Sequence, residues 1–166
     1  MDKITWIKDL VRAEQEMEES GMIDFSAGFN PQKLLSEESL QFLNDLKVSF
    51  VDAVTTFNQL KGSPLGRIKI YGISNTEADF MLFRNGFKLI FGMKKPGTIS
   101  IRFHYVGANF IPGTANKEEA PDQGEEALIA KWGPFGDLVW TYNEQPLKID
   151  FLVRYYISRF IKESAK

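Results

Sequence analysis

The sequence predicts an α+β fold in which an antiparallel sheet of about six strands, a four-stranded meander plus a hairpin, packs against two N-terminal helices and one C-terminal helix. Three observations carry that expectation. Apolar residues recur at helical spacing over 3–19 and 36–60, an Asn85-Gly86 turn sits inside an alternating stretch from 67 to 106, and an amphipathic helical pattern closes the chain at 146–164.

The first helix has Trp6, Leu10, Ala13 and Met17 on one stripe with Ile7 and Val11 beside it, Asp2 to cap its start and Gly21 to stop it. Glu14, Glu16, Glu18 and Glu19 crowd its last turn, where acidic groups oppose the helix dipole. Residues 22–35 lack a period and read as an extended connection. Ser36, followed by Glu37 and Glu38, is read as the cap of a second helix, whose Leu40, Leu43, Leu46, Phe50, Val54, Phe57 and Leu60 keep one face as far as Gly62 and Pro64.

Strands are expected at 67–73, 78–84, 87–93 and 98–106. Asn-Gly between apolar runs is the signature of a two-residue type I′ turn, and closing it at Arg84 and Phe87 pairs Leu82 with Leu89 and Phe80 with Phe91. Those four residues share one face. Met81, Phe83, Lys88 and Ile90 share the other, to which the flanking strands add Arg67, Lys69, Tyr71, Arg102 and His104. Ala108 to Glu126 has no period and reads as a long acidic loop. Strands at 127–132 and 138–143 then flank the turn Gly133-Pro134-Phe135-Gly136, and Pro146 is read as the start of the last helix.

At 166 residues the chain suits a single domain spanning 1–166, large enough to bury a sizeable core. It has no Cys, which removes disulfides, thiol catalysis and cysteine-held metals at once. The charged, amphipathic N-terminus carries no apolar h-region and no run approaches a membrane span, so a cytoplasmic location is expected.

Net charge is near zero overall but strongly segregated. Lys and Arg against Asp and Glu number six to eleven over 1–61, seven to two over 62–107, two to seven over 108–147 and five to two over 148–166. A basic sheet therefore stands between acidic neighbours. Mutual neutralisation within the chain accounts for this without any function; the sharper reading is a basic face that receives an anion, with the acidic loop as a competing lid.

Catalytic motifs are missing. Gly62-Ser63-Pro64-Leu65-Gly66 follows a helix rather than a strand, so it is a helix stop and not a phosphate loop. His104 is the single histidine, too few for a zinc site, and Ser100 stands two positions from it, about 7 Å along a strand, too far for a nucleophile–base pair. No catalytic residue, metal or cofactor is assigned. Tyr71 and Phe83 among cations offer raw material for nucleic acid, but a pI of 5.5 and the lack of a ribonucleoprotein motif argue against it.

The last helix carries the main functional expectation. Ile149, Leu152, Val153, Tyr156, Ile157, Phe160 and Ile161 form its core sector, while Phe151, Arg154, Tyr155 and Arg159 fall on the opposite, basic sector. Aromatic and Arg residues dominate interface anchors, so the chain is expected to be a non-catalytic adaptor or chaperone-like domain that binds another protein or a second copy of itself. The alternative is a ligand-binding or enzymatic pocket between the basic sheet face and the long helix, where Arg67, Lys69, Lys88, Arg102 and His104 hold an anionic small molecule.

Overall fold

The structure, a computed structural model, describes residues 3–25, 28–105 and 124–165. By its internal contacts the chain divides into two compact units, Met1–Leu35 and Ser36–Lys166.

The first unit contains α1 (Lys3–Ser20) and the opening of α2 (Pro31–Lys61). Gly21 ends α1 in the left-handed conformation, φ 72°, and its N–H donates to the Met17 carbonyl at 2.9 Å. The long helix begins six residues earlier than the Ser36 cap predicts, at Pro31 instead of Glu37. Asn30 accepts the Lys33 N–H at 3.2 Å and Pro31 occupies the first helical position, where its missing N–H costs nothing. The Asn-Pro pair outranks the Ser-Glu-Glu signal downstream, so 31–35 is helical rather than extended.

The second unit is a seven-stranded meander in which every neighbour is antiparallel: β1 (Lys69–Gly72), β2 (Phe80–Arg84), β3 (Phe87–Lys95), β4 (Thr98–Tyr105), β5 (Glu126–Trp132), β6 (Leu138–Tyr142) and β7 (Gln145–Pro146). The β2–β3 register matches the turn chemistry residue by residue, from Arg84 opposite Phe87 to Phe80 opposite Phe91, with Asn85 at φ 50° and Gly86 at φ 83°. The sequence reading of about six strands is one short. Asn143 and Glu144 make a second two-residue turn at φ 48° and 68°, which folds Gln145 back against Tyr142. Pro146 therefore ends an edge strand, where its lack of an N–H is harmless, and α3 runs from Ile149 to Ser164.

The alternation of the strands gives the sheet two unlike faces. Phe80, Leu82, Leu89, Phe91, Ile99, Ile101 and Leu128 lie on one, buried together with Leu43, Leu46, Phe50 and Val54 of α2 and Val153, Tyr156 and Phe160 of α3. Phe50 meets Phe80 and Phe91 at ring separations of 5.8 and 4.8 Å, and Tyr156 meets Phe91 edge-on at 5.8 Å. Both helices of this unit therefore cover the apolar face.

Polar ties fix the helices to it. Ser39 of α2 accepts the Gly97 N–H at 2.8 Å, and the Asn58 side chain makes two 2.9 Å bonds to the Ile68 backbone. Arg84, buried at the hairpin, donates through Nε to the Gly66 carbonyl at 2.8 Å and through Nη1 to Ile161 O and Ser164 Oγ, both at 3.3 Å. Asn85 donates to Ser164 O at 2.7 Å. The hairpin thus caps the C-terminal end of α3, whose carbonyls attract a cation.

Candidate functional site

The outward side of α3 is set by the burial of its other side. With Leu152, Val153, Tyr156 and Phe160 in the core, the helical period brings Phe151, Arg154, Tyr155, Ser158 and Lys162 outward. Phe151 is 64% and Tyr155 54% exposed, although each carries a large apolar surface that burial would stabilise by about 1.5–3 kcal/mol. Tyr155 sits edge-on against Tyr156, ring centroids 5.0 Å apart.

A groove runs along each side of this aromatic ridge. One, of about 520 Å³, is bordered by Phe151, Arg154, Tyr155, Ser158 and Lys162 together with the paired Arg159 and Glu163. The other, of about 470 Å³, lies between the start of α3 and strands β5 to β7, with Leu128, Tyr142, Leu147 and Leu152 below and Phe151 and Tyr155 at its lip. Lys148, the residue before α3, stands at that rim.

The fourth residue expected at this contact behaves differently. Arg159 is bound within the fold: Nη1 meets Glu126 Oε1 at 2.9 Å, Nε meets Glu163 at 3.3 Å, and the guanidinium lies 4.3 Å from the centre of the Phe103 ring. Tyr156 donates its hydroxyl to the other oxygen of Glu126. Burial works against the Arg159 charge, but the bonds to the two carboxylates outweigh it and raise its pKa. Burial, then the bond to Glu126, pushes the Tyr156 hydroxyl well above its ordinary value. Burial, followed by the charge of Glu126, also raises Tyr142. This cluster fastens α3 across β4 and β5, so Arg159 supports the ridge, while Arg154 and Lys162 keep their charges for solvent or a partner.

The basic sheet face forms as the alternation requires. Lys69, Phe83, Lys88 and His104 lie in one cross-strand row, and Tyr71, Met81, Ile90 and Arg102 in the next. Arg67 falls two residues ahead of β1. Lys69, Lys88, Arg102 and His104 have no carboxylate partner among the described residues. The placement of an anion pocket beneath the long helix is corrected, because α2 packs on the opposite, apolar face through Phe50. The lid expected over 108–126 lies largely outside the described residues, which resume at Gly124.

No family model matches the chain, and no curated protein or solved structure matches it. The assignment of function therefore rests on geometry. Among the described residues no cluster of three His, Asp or Glu is placed to hold a metal, and no helix is long and apolar enough to cross a membrane. Sequence reasoning missed Glu126, which it left in the loop, and the groove residues Tyr142 and Leu147, whereas Lys148 already fell with the basic sector of the last helix. Glu126 carried no local signal, since its partners are 30 and 33 residues away.

Proposed function

We propose that this chain is a non-catalytic protein-binding module, and that its partner docks on the outward face of α3. The observation that supports this reading is the ridge of Phe151 and Tyr155, two large rings more than half exposed between two grooves. Such rings dominate binding energy where a partner can desolvate them. The ridge is also held in place before any partner arrives, because the Glu126, Tyr156 and Arg159 cluster fixes the helix beneath it. A rigid helix face lowers the ordering cost of association.

The test is the double substitution Phe151→Ala and Tyr155→Ala. The variant should keep the wild-type circular dichroism spectrum and lose the complex, seen by native mass spectrometry of gently purified protein. An unfolded variant would return both rings to the core and end the proposal.

A second reading is favoured by one observation, the row of Lys88 and His104 with Arg102 on the neighbouring position, all without carboxylate partners among the described residues. An anionic small molecule bound there should be lost in Arg102→Ala, measured by titrating inorganic phosphate or citrate against the amide spectrum.

A further inference from the structure

We infer that the partner of the α3 face is an acidic protein segment with an apolar anchor, the anchor entering the groove over Leu128 and Leu147 and the acids meeting Lys148, Arg154 and Lys162. The inference rests on the protein-docking reading above and adds the chemistry of the partner.

Charge carries the argument. At about 100° per residue, Arg154, Ser158, Phe151, Lys162, Tyr155 and Arg159 occupy about 140° of the helix circumference, an arc that contains no acid, and Lys148 stands just before the helix in extended conformation at the groove. Asp150 lies at one margin and Glu163 at the other, and Glu163 is bonded to Arg159. Arg159 is neutralised by Glu126 and Glu163, whereas Lys148, Arg154 and Lys162 have no ion-pair partner among the described residues. Three cations thus surround two exposed rings.

That pattern selects between occupants. A second copy docked through the same arc would set Lys148, Arg154 and Lys162 against their own counterparts, and like charges facing each other across an interface oppose association. A basic segment is opposed in the same way. An acidic segment turns all three into favourable contacts and steers encounter as well. The groove supplies the second requirement. Its volume of about 470 Å³ and its lining of Leu128, Tyr142, Leu147 and Leu152 suit a bulky apolar side chain, with Lys148 at the rim to pair with a flanking carboxylate.

Three synthetic peptides of equal length test this by titration into isotope-labelled protein. One is rich in Glu with two Leu anchors, the second has Lys in place of every Glu, and the third keeps Glu but has Ser in place of Leu. The first should shift amides of residues 142–162 and lose affinity at least tenfold in Arg154→Glu/Lys162→Glu, a variant of two exposed residues. The second should bind that variant better than wild type, and the third should bind wild type more weakly than the first. Equal binding of the Lys and Glu peptides to wild type would overturn the inference, as would shifts confined to β1–β4. If no peptide binds while Phe151→Ala/Tyr155→Ala still dissolves a wild-type complex in sedimentation, the docking reading survives and the acidic partner does not. If neither happens, both fall.

Discussion

Arg84 offers the sharpest test of how the ridge is supported, because one side chain joins the β2–β3 hairpin, the loop before β1 and the end of α3. Arg84→Met keeps most of the volume and the contact with Phe57, whose ring centre lies 5.5 Å from the guanidinium carbon, and removes all three hydrogen bonds. A hydrogen bond to a charged donor contributes about 1.5–3 kcal/mol. Counting the 2.8 Å bond to Gly66 as one and the two 3.3 Å bonds to Ile161 and Ser164 together as another gives a loss of about 3–6 kcal/mol. That is a large share of the ~5–15 kcal/mol total for a typical protein. With a urea slope of about 2 kcal/mol per molar, the midpoint should fall by about 2 M at unchanged slope. Urea unfolding followed by far-ultraviolet circular dichroism reads the shift. Arg84→Lys should fall between, since an ammonium keeps the charge near the helix C-terminus but cannot reach three acceptors from one planar group. A loss below about 1 kcal/mol for Arg84→Met, with hydrogen bonds of ordinary worth, would refute the reasoning.

Two further outcomes follow from the same packing. Tyr156 has a raised pKa in the fold, so the neutral hydroxyl is favoured there; its stabilisation is complete below the ordinary tyrosine value of about 10 and is lost as pH rises beyond it. Tyr156→Phe removes a bond to a carboxylate, so it should cost about 1.5–3 kcal/mol at pH 7 and flatten the alkaline loss of stability, and parallel alkaline curves for variant and wild type would contradict this. Asn85→Val should cost about 1–2 kcal/mol from its left-handed backbone alone, φ 50°, with a further loss from the bond to Ser164, in thermal unfolding; an unchanged midpoint would mean the turn is not of type I′ in solution.

The parts of the fold written locally were legible in the sequence. The Asn85-Gly86 turn and the alternation of β4 set the register and the two faces of the sheet, because side-chain direction in a strand is fixed by parity. Where two local signals competed, the sequence reading chose wrongly. Ser36-Glu37-Glu38 resembles a cap, yet Asn30-Pro31 starts the helix; Pro146 resembles a helix start, yet it closes β7, whose turn uses Asn143 and Glu144 without the expected glycine. At the candidate site, the helical period alone brought Phe151, Arg154 and Tyr155 to the outer face of α3. It could not reveal that Arg159 is held by Glu126 and Phe103, since that contact exists only after β4, β5 and α3 have packed. Nor could parity say which sheet face the helices cover; the core around Phe50, Phe91 and Tyr156 decides it.

The most direct measurement places a photo-crosslinking phenylalanine analogue at position 151 and, as a control, at exposed Val48 on α2, in the native host of the protein. The proposal predicts one discrete crosslinked species from position 151 that is absent from position 48 and lost when Arg154 and Lys162 are changed to Glu. Equal crosslinking from both positions, or none from 151, would contradict it.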